Sequence, residues 1–148
     1  STSAFAYAND QVAGARLHTC AILANGDLKC WGGNSKGQLG MGNTLNQNAP
    51  PSTAIDLGTG RTAVSVSTSF ANTCAILDNG ELKCWGYDDY GQLGDGGSND
   101  NTSEPSSTAI DLGTGRTAVA VSSGRHHTCV ILDDASMTCW VKPYLFKF

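Results

Sequence analysis

The chain has 148 residues, with 18 glycines and a formal net charge of −4 that is spread along its length. It is long enough for one domain with a real core. It lacks the basic patch that nucleic-acid binding by phosphate neutralisation needs, its longest apolar run falls short of the ~18 residues of a membrane span, and no stretch holds helical periodicity.

Taken in order, the chain begins at Ser1 without a starting Met, which reads as a mature N-terminus or the start of a fragment. Ala4 to Ala8 is read as a strand or a tail, and Val12-Ala13-Gly14 as the end of an alternating strand. Cys20–Leu23 and Asp27–Trp31 then form a tight hairpin around Ala24-Asn25-Gly26. A three-residue loop ending in a glycine at positive φ is a common hairpin connection. It sets Leu23 opposite Asp27, Ile22 opposite Leu28, Ala21 opposite Lys29 and Cys20 opposite Cys30. A two-residue loop would instead place Cys20 against Trp31. The first register is preferred because directly opposed Cβ atoms, about 4.5–5.5 Å apart, come close to disulfide reach.

Gly32–Gly42 is a Gly- and Asn-rich loop, followed by the variable stretch 43–50 and by Ala54-Ile55-Asp56-Leu57, expected to be an outer strand. Then the pattern restarts. Ala63 to Ser67 alternates small residues with valine, as suits a strand crowded near an axis. Cys74 to Gly94 repeats the hairpin and loop almost letter for letter, 95–106 is the second variable loop, and Ala109 to Leu112 the second outer strand. Ser107–Val119 copies Ser52–Val64 without change. Cys20, Cys74 and Cys129 set a period of about 55 residues, which fits four short strands per unit and a propeller.

The third copy departs. Asn-Gly becomes Asp134-Ala135, putting a Cβ where positive φ is wanted, and the Gly-Gln-Leu-Gly string is missing. Tyr144, Phe146 and Phe148 alternate with Leu145 and Lys147, so the tail is read as a closing outer strand or an unrelated end. The expected fold is therefore all-β: three propeller-type blades of antiparallel four-stranded sheet, a partial or open β-propeller forming one repeat domain over 1–148. Blade 1 spans about 4–57, blade 2 about 62–112 and a degenerate blade 3 about 117–148.

The six cysteines fall into three pairs at one spacing: Cys20 with Cys30, Cys74 with Cys84, and Cys129 with Cys139. Such pairing suggests disulfides and an oxidising compartment, secreted, extracellular or an organelle lumen such as the thylakoid lumen or the periplasm. Zinc ligands come in closer Cys pairs; free buried thiols are the remaining alternative. Asp88-Asp89 and the acidic loop from Asp95 lack the spacing of a calcium loop and read as solvated. No metal and no cofactor are expected. Asn101-Thr102-Ser103 is a sequon with Asn101 as the candidate glycan acceptor.

His18-Thr19-Cys20, Asn25-Gly26, Trp31-Gly32 and Gly37-Gln38-Leu39-Gly40, repeated at Trp85-Gly86 and Gly91-Gln92-Leu93-Gly94 and again at His127-Thr128, resemble the repeat of the regulator of chromosome condensation family. The resemblance covers about Val12 to Trp140 and implies β-propeller blades, usually seven to a ring. Three blades cannot close such a ring, which implies part of a larger propeller, assembly with copies or a partner, or an open fan. The paired cysteines resemble the secreted branch more than the nuclear exchange factor. A light-sensing relative places a tryptophan directly before an Arg-His-Thr string, and Ala15 to Thr19 and Gly124 to Thr128 have none there.

Within this pattern Trp31, Trp85 and Trp140, with Gly37, Gly40, Gly91 and Gly94, are expected to pack blade on blade. His18 and His127, with Asn72 between them, are expected to make a shared structural hydrogen bond, since Asn replaces a hydrogen bond but not a proton transfer. His126, beside Arg125, is a surface-site candidate. There is no nucleophile elbow, zincin helix or phosphate loop. The reading is a non-catalytic protein–protein interaction or scaffold module that binds protein partners or copies of itself through its variable loops, as a subunit or fragment of a larger assembly. A carbohydrate- or ligand-binding or enzymatic propeller is the alternative, and a guanine-nucleotide exchange regulator the second.

Overall fold

The computed structural model describes residues 11–98 and 101–141. Within them lie nine strands and no helix: β1 (Gln11–Gly14), β2 (His18–Ile22), β3 (Leu28–Gly32), β4 (Ala63–Thr68), β5 (Asn72–Leu77), β6 (Leu82–Gly86), β7 (Ala118–Ser123), β8 (His127–Leu132) and β9 (Met137–Val141). They form three antiparallel sheets, β1-β2-β3, β4-β5-β6 and β7-β8-β9. The strand readings at Ala4 to Ala8 and in the aromatic tail from Tyr144 lie outside the described residues.

The hairpin register follows from its turn. Gly26 N donates to Leu23 O at 2.8 Å and Leu23 N to Asp27 O at 2.9 Å, so the loop holds three residues. Gly26 takes φ +84°, and Asn25 Oδ1 accepts from Asp27 N. Cys20 thereby stands opposite Cys30, Cys74 opposite Cys84 and Cys129 opposite Cys139. Each pair is a disulfide with its Cα atoms 4.1 Å apart. That separation belongs to the closer, non-hydrogen-bonded class of antiparallel pairs.

Two cores form, and each lies between sheets. One face of the first sheet (Cys20, Ile22, Leu28, Cys30) meets Ala75, Leu77 and Trp85 of the second. The second sheet's other face (Cys74, Ile76, Leu82, Cys84) meets Val130, Leu132 and Trp140 of the third. The alternation along the strands of the second sheet therefore serves two neighbours, one per face. Ala63 N donates to Gly26 O at 3.0 Å and Ala118 N to Gly80 O at 2.8 Å, docking each sheet's entry onto the preceding hairpin turn. Side chains join the inner strands: Val66 N donates to Gln11 Oε1, and Ser123 N to Ser67 Oγ.

One expectation needs correction. Among the described residues each sheet has three strands, and in the first two the segments read as outer strands are irregular. Ile55 N and Ile110 N each make one bond to the sheet edge, at Leu28 O and Leu82 O. Pro50, Pro51 and Pro105 remove backbone donors ahead of them. Asp56 and Asp111 then turn the chain away by accepting from Gly58 N and Gly113 N. Ile55 and Leu57 still bury their side chains, so these segments cover the edge by packing. The inner-strand valines divide by face: Val66 is buried in the first core and Val121 packs against the second, whereas Val64 is 38%, Val119 61% and Val12 72% exposed.

Ala135 adopts φ +66°, the only non-glycine at positive φ among the described residues. Its counterparts are glycines for a second reason: a Cβ on Gly26 would lie 2.5 Å from Thr62 Cβ, and one on Gly80 would lie 2.6 Å from Thr117 Cβ. No described segment crosses Ala135. Ala135→Gly is therefore expected to stabilise the protein by about 0.5–1 kcal/mol in urea denaturation, relieving left-handed strain at some cost in unfolded-chain entropy. Gly80→Ala is expected to destabilise it by more than that gain.

Candidate interaction site

The Gly37-Gln38-Leu39-Gly40 loop after Trp31 builds a polar node between the first two sheets. Gln38 O accepts from Thr73 Oγ1 at 2.8 Å and from Trp85 Nε1 at 3.1 Å. The Thr73 proton is committed to Gln38, so His18 Nε2 is the donor in its 2.7 Å bond to Thr73 Oγ1. His18 is thus the neutral Nε2–H tautomer, and its buried Nδ1 has no partner. Trp85 is fully buried beneath Gly40, where a Cβ would fall 2.7 Å from Trp85 Nε1. Trp140 lies likewise beneath Gly94, where a Cβ would fall 2.6 Å from its ring. Trp31, with no described sheet before it, is half-buried.

Asn72 does not copy the histidine's bond. Its Oδ1 accepts from Ser69 Oγ within its own sheet. Thr128 Oγ1, the counterpart of Thr73 Oγ1, is left buried and unpartnered. The shorter amide does not reach the next sheet, so the shared bond expected at this repeat position is made once.

Burial lowers the His18 pKa from about 6.5 to about 4, since protonating Nδ1 would bury an unpaired charge. The unfolded imidazole takes its proton near pH 6.5, whereas the folded one stays neutral until about pH 4. The stability linked to this group is complete above pH 6.5 and falls as the pH drops from 6.5 to about 4. The expected loss is up to about 3 kcal/mol. Urea denaturation across that range checks it, and His18→Asn is expected to remove the His18 share of the slope.

The acidic loop residue Asp88 is buried, which corrects its reading as part of a solvated loop. Leu93 N donates to its Oδ1, and its own N donates to Asn101 Oδ1. Asn34 does the same work one repeat earlier: its side chain binds Asn43 O, Leu45 O and Leu39 N. These two residues shape the variable loops. The signal was their shared place three residues after Trp31 and Trp85. Asn101 is exposed, with Oδ1 tied to Asp88 N, and among the described residues no group of three metal-ligating side chains occurs.

One end of the fan carries a cluster that spans all three sheets. It is built from the turns entering β2, β5 and β8 and the loops leaving β3 and β6. Arg16 lies 5.6 Å and Arg125 4.8 Å from the centre of the Phe70 ring. Phe70 meets Tyr87 edge-on at 6.5 Å, Tyr87 meets Tyr90 at 6.0 Å, and Tyr90 meets His126 at 4.1 Å. Lys36 Nζ sits 5.2 Å over Tyr87. Desolvation first, then a hydrogen bond from its hydroxyl to Asp89, pushes Tyr87 up to about 12, so it stays a phenol. Desolvation, then Arg125 and His127, lowers His126. His126 was singled out from the sequence; the rings and cations around it were not. Arg16, Phe70 and Arg125 hold one repeat position, two residues before His18, Asn72 and His127, while Lys36 and Tyr90 hold another. Cation and ring alternate along the repeat, and that is the signal that marks the cluster.

Comparison with known proteins places these features. The model of the regulator of chromosome condensation (RCC1) repeat matches residues 25–76 and 79–131. The ultraviolet-B receptor UVR8 of Arabidopsis thaliana is 32% identical over 133 residues, which cover 90% of this chain and 28% of the receptor. Human WBSCR16 superposes with a TM-score of 0.78 at 21% identity, over 88% of this chain and 32% of that one. Prp20p of Saccharomyces cerevisiae, described with its binding to Gsp1p and histones, gives 0.70 at 20% identity over 88% and 32%. The chain spans about a third or less of each of these relatives.

Proposed function

Because the chain belongs to the regulator of chromosome condensation repeat family, we propose that it is a non-catalytic protein-interaction module that works as one part of a larger assembly. One observation carries this reading. The far face of the third sheet shows Ile131 45% and Met137 67% exposed, whereas their counterparts Ile76 and Leu82 are 2% and 0% exposed beneath the next sheet. Among the described residues nothing covers this face as the third sheet covers that of the second, and an uncovered apolar sheet face favours association. The protein-binding relative Prp20p supports the same reading. The three disulfides support an oxidising compartment, secreted or lumenal.

The test is the mass of the native particle. Purification from the source under mild conditions, followed by light scattering, is expected to give a stoichiometric companion or a multiple of the chain mass. Ile131→Ser with Met137→Ser is expected to release the companion. A lone monomer that turns over a small molecule would overturn the reading.

A further inference from the structure

We propose that the Phe70–Tyr87–Tyr90 face, with Arg16, Lys36 and Arg125 over its rings, is a docking surface for an acidic, carboxylate-bearing peptide segment. This goes beyond the open face of the third sheet, since it lies at the turn end of the fan and uses other residues.

Charge accounting supports it. Arg61 pairs with Asp78 at 3.5 Å and Arg116 with Asp134 at 3.0 Å. Lys29 and Lys83 donate to the carbonyls of Ser52 and Leu57. Among the described residues, Arg16, Lys36 and Arg125 are the basic side chains with neither a carboxylate nor a carbonyl partner, and all three gather on this face. The chain as a whole carries −4, so the gathering runs against its average charge. The acidic group of the cluster, Asp89, is engaged by the Tyr87 hydroxyl.

Geometry selects the partner's chemistry. A guanidinium lying over a ring uses its face and leaves its N–H edge pointing outward. Carboxylates fit that edge, often in bidentate fashion. Because cations already lie over Phe70 and Tyr87, a sugar ring has less room to stack there. A nucleic acid needs many phosphate contacts and would face an acidic chain. An extended acidic segment needs only a few carboxylates spaced to meet Arg16, Arg125 and Lys36, and the ring edges supply apolar contact between them. Rigid aromatic anchors flanked by arginine are the composition of interface hot spots.

The test uses the intact oxidised chain and a fluorescein-labelled peptide of alternating Glu and Ala, read by anisotropy, beside its Gln counterpart. The Glu peptide is expected to bind at least about tenfold more tightly, and the preference is expected to shrink with added salt. Arg16→Ala with Arg125→Ala, both exposed positions, is expected to weaken the Glu peptide by about tenfold or more, while the control Lys29→Ala leaves it unchanged. Phe70→Leu is expected to weaken it with the fold retained by circular dichroism. Equal binding of the Glu and Gln peptides overturns the proposal. So does tighter binding of single-stranded DNA of equal length, or of a neutral glycan whose binding Phe70→Leu abolishes. If the double arginine variant binds the Glu peptide as tightly as the unaltered chain, while Ile131→Ser with Met137→Ser still releases the native companion, this docking surface falls and the assembly reading stands.

Discussion

Trp85→Ala is expected to cost about 3–5 kcal/mol, the largest loss from any single aromatic substitution among the described residues. The indole is fully buried in the first inter-sheet core, among Leu28, Leu39, Ile55 and Leu77. Its removal leaves a cavity beneath Gly40 and strips Gln38 O of one of its two donors. The loop cannot collapse into the gap, because Asn34 ties it to Asn43, Leu45 and Leu39. Trp31→Ala, at the same repeat position but half-buried, is expected to cost about a third as much, since truncation of a less buried side chain returns less surface to water. Trp140→Ala should fall between them. Chemical denaturation of the three variants checks the series. Equal losses would show that the tryptophan stabilises its own sheet and not the joint with the sheet before it.

The series also shows what could be read from the letters. Register, disulfide pairing and the positive φ at Gly26 and Ala135 were legible because they depend on the hairpin turn, which is local. Repeat position told that the tryptophans pack between units. It did not tell how deeply each is buried, because that depends on whether a neighbour stands on the right side. The outer segments misled because Ala54 to Leu57 has the composition of a strand, while its neighbours decide otherwise: prolines remove donors before it and Asp56 turns the chain after it. Asp88 misled for a similar reason. Its charge suggested solvent, and only the returning loop, with Asn101 on its backbone, shows it buried. The ring–cation face escaped because Arg16, Phe70 and Arg125 are chemically unlike. They align only when the repeat position is read before the residue type.

Stepwise reduction is expected to open the Cys129–Cys139 bridge first. Cys139 is exposed and Cys129 half-buried, whereas Cys20, Cys30 and Cys74 are 0% and Cys84 7% exposed between sheets. A reductant reaches a buried bridge only through local opening, so the order of attack follows the order of burial. Timed reduction with alkylation and mass spectrometry is expected to label Cys129 and Cys139 well before the other four. Loss of the Cys74–Cys84 bridge is expected to cost about 2–3 kcal/mol, as the chain-entropy account of so short a loop gives. That bridge also forms part of the second core, beside Ile76, Leu82 and Val130. Replacing it by an alanine pair should therefore lower stability by more than the Cys129–Cys139 replacement does. Removing either bridge leaves the hairpin register to its turn, so strand content by circular dichroism should persist in both variants while the midpoints separate. The first two bridges each clip one hairpin whose inner face forms an inter-sheet core, so a cell compartment that reduces them is expected to lower the stability of the fan. Equal labelling rates for all six cysteines would overturn this ordering, and undiminished stability after full reduction would remove the physical argument for an oxidising compartment.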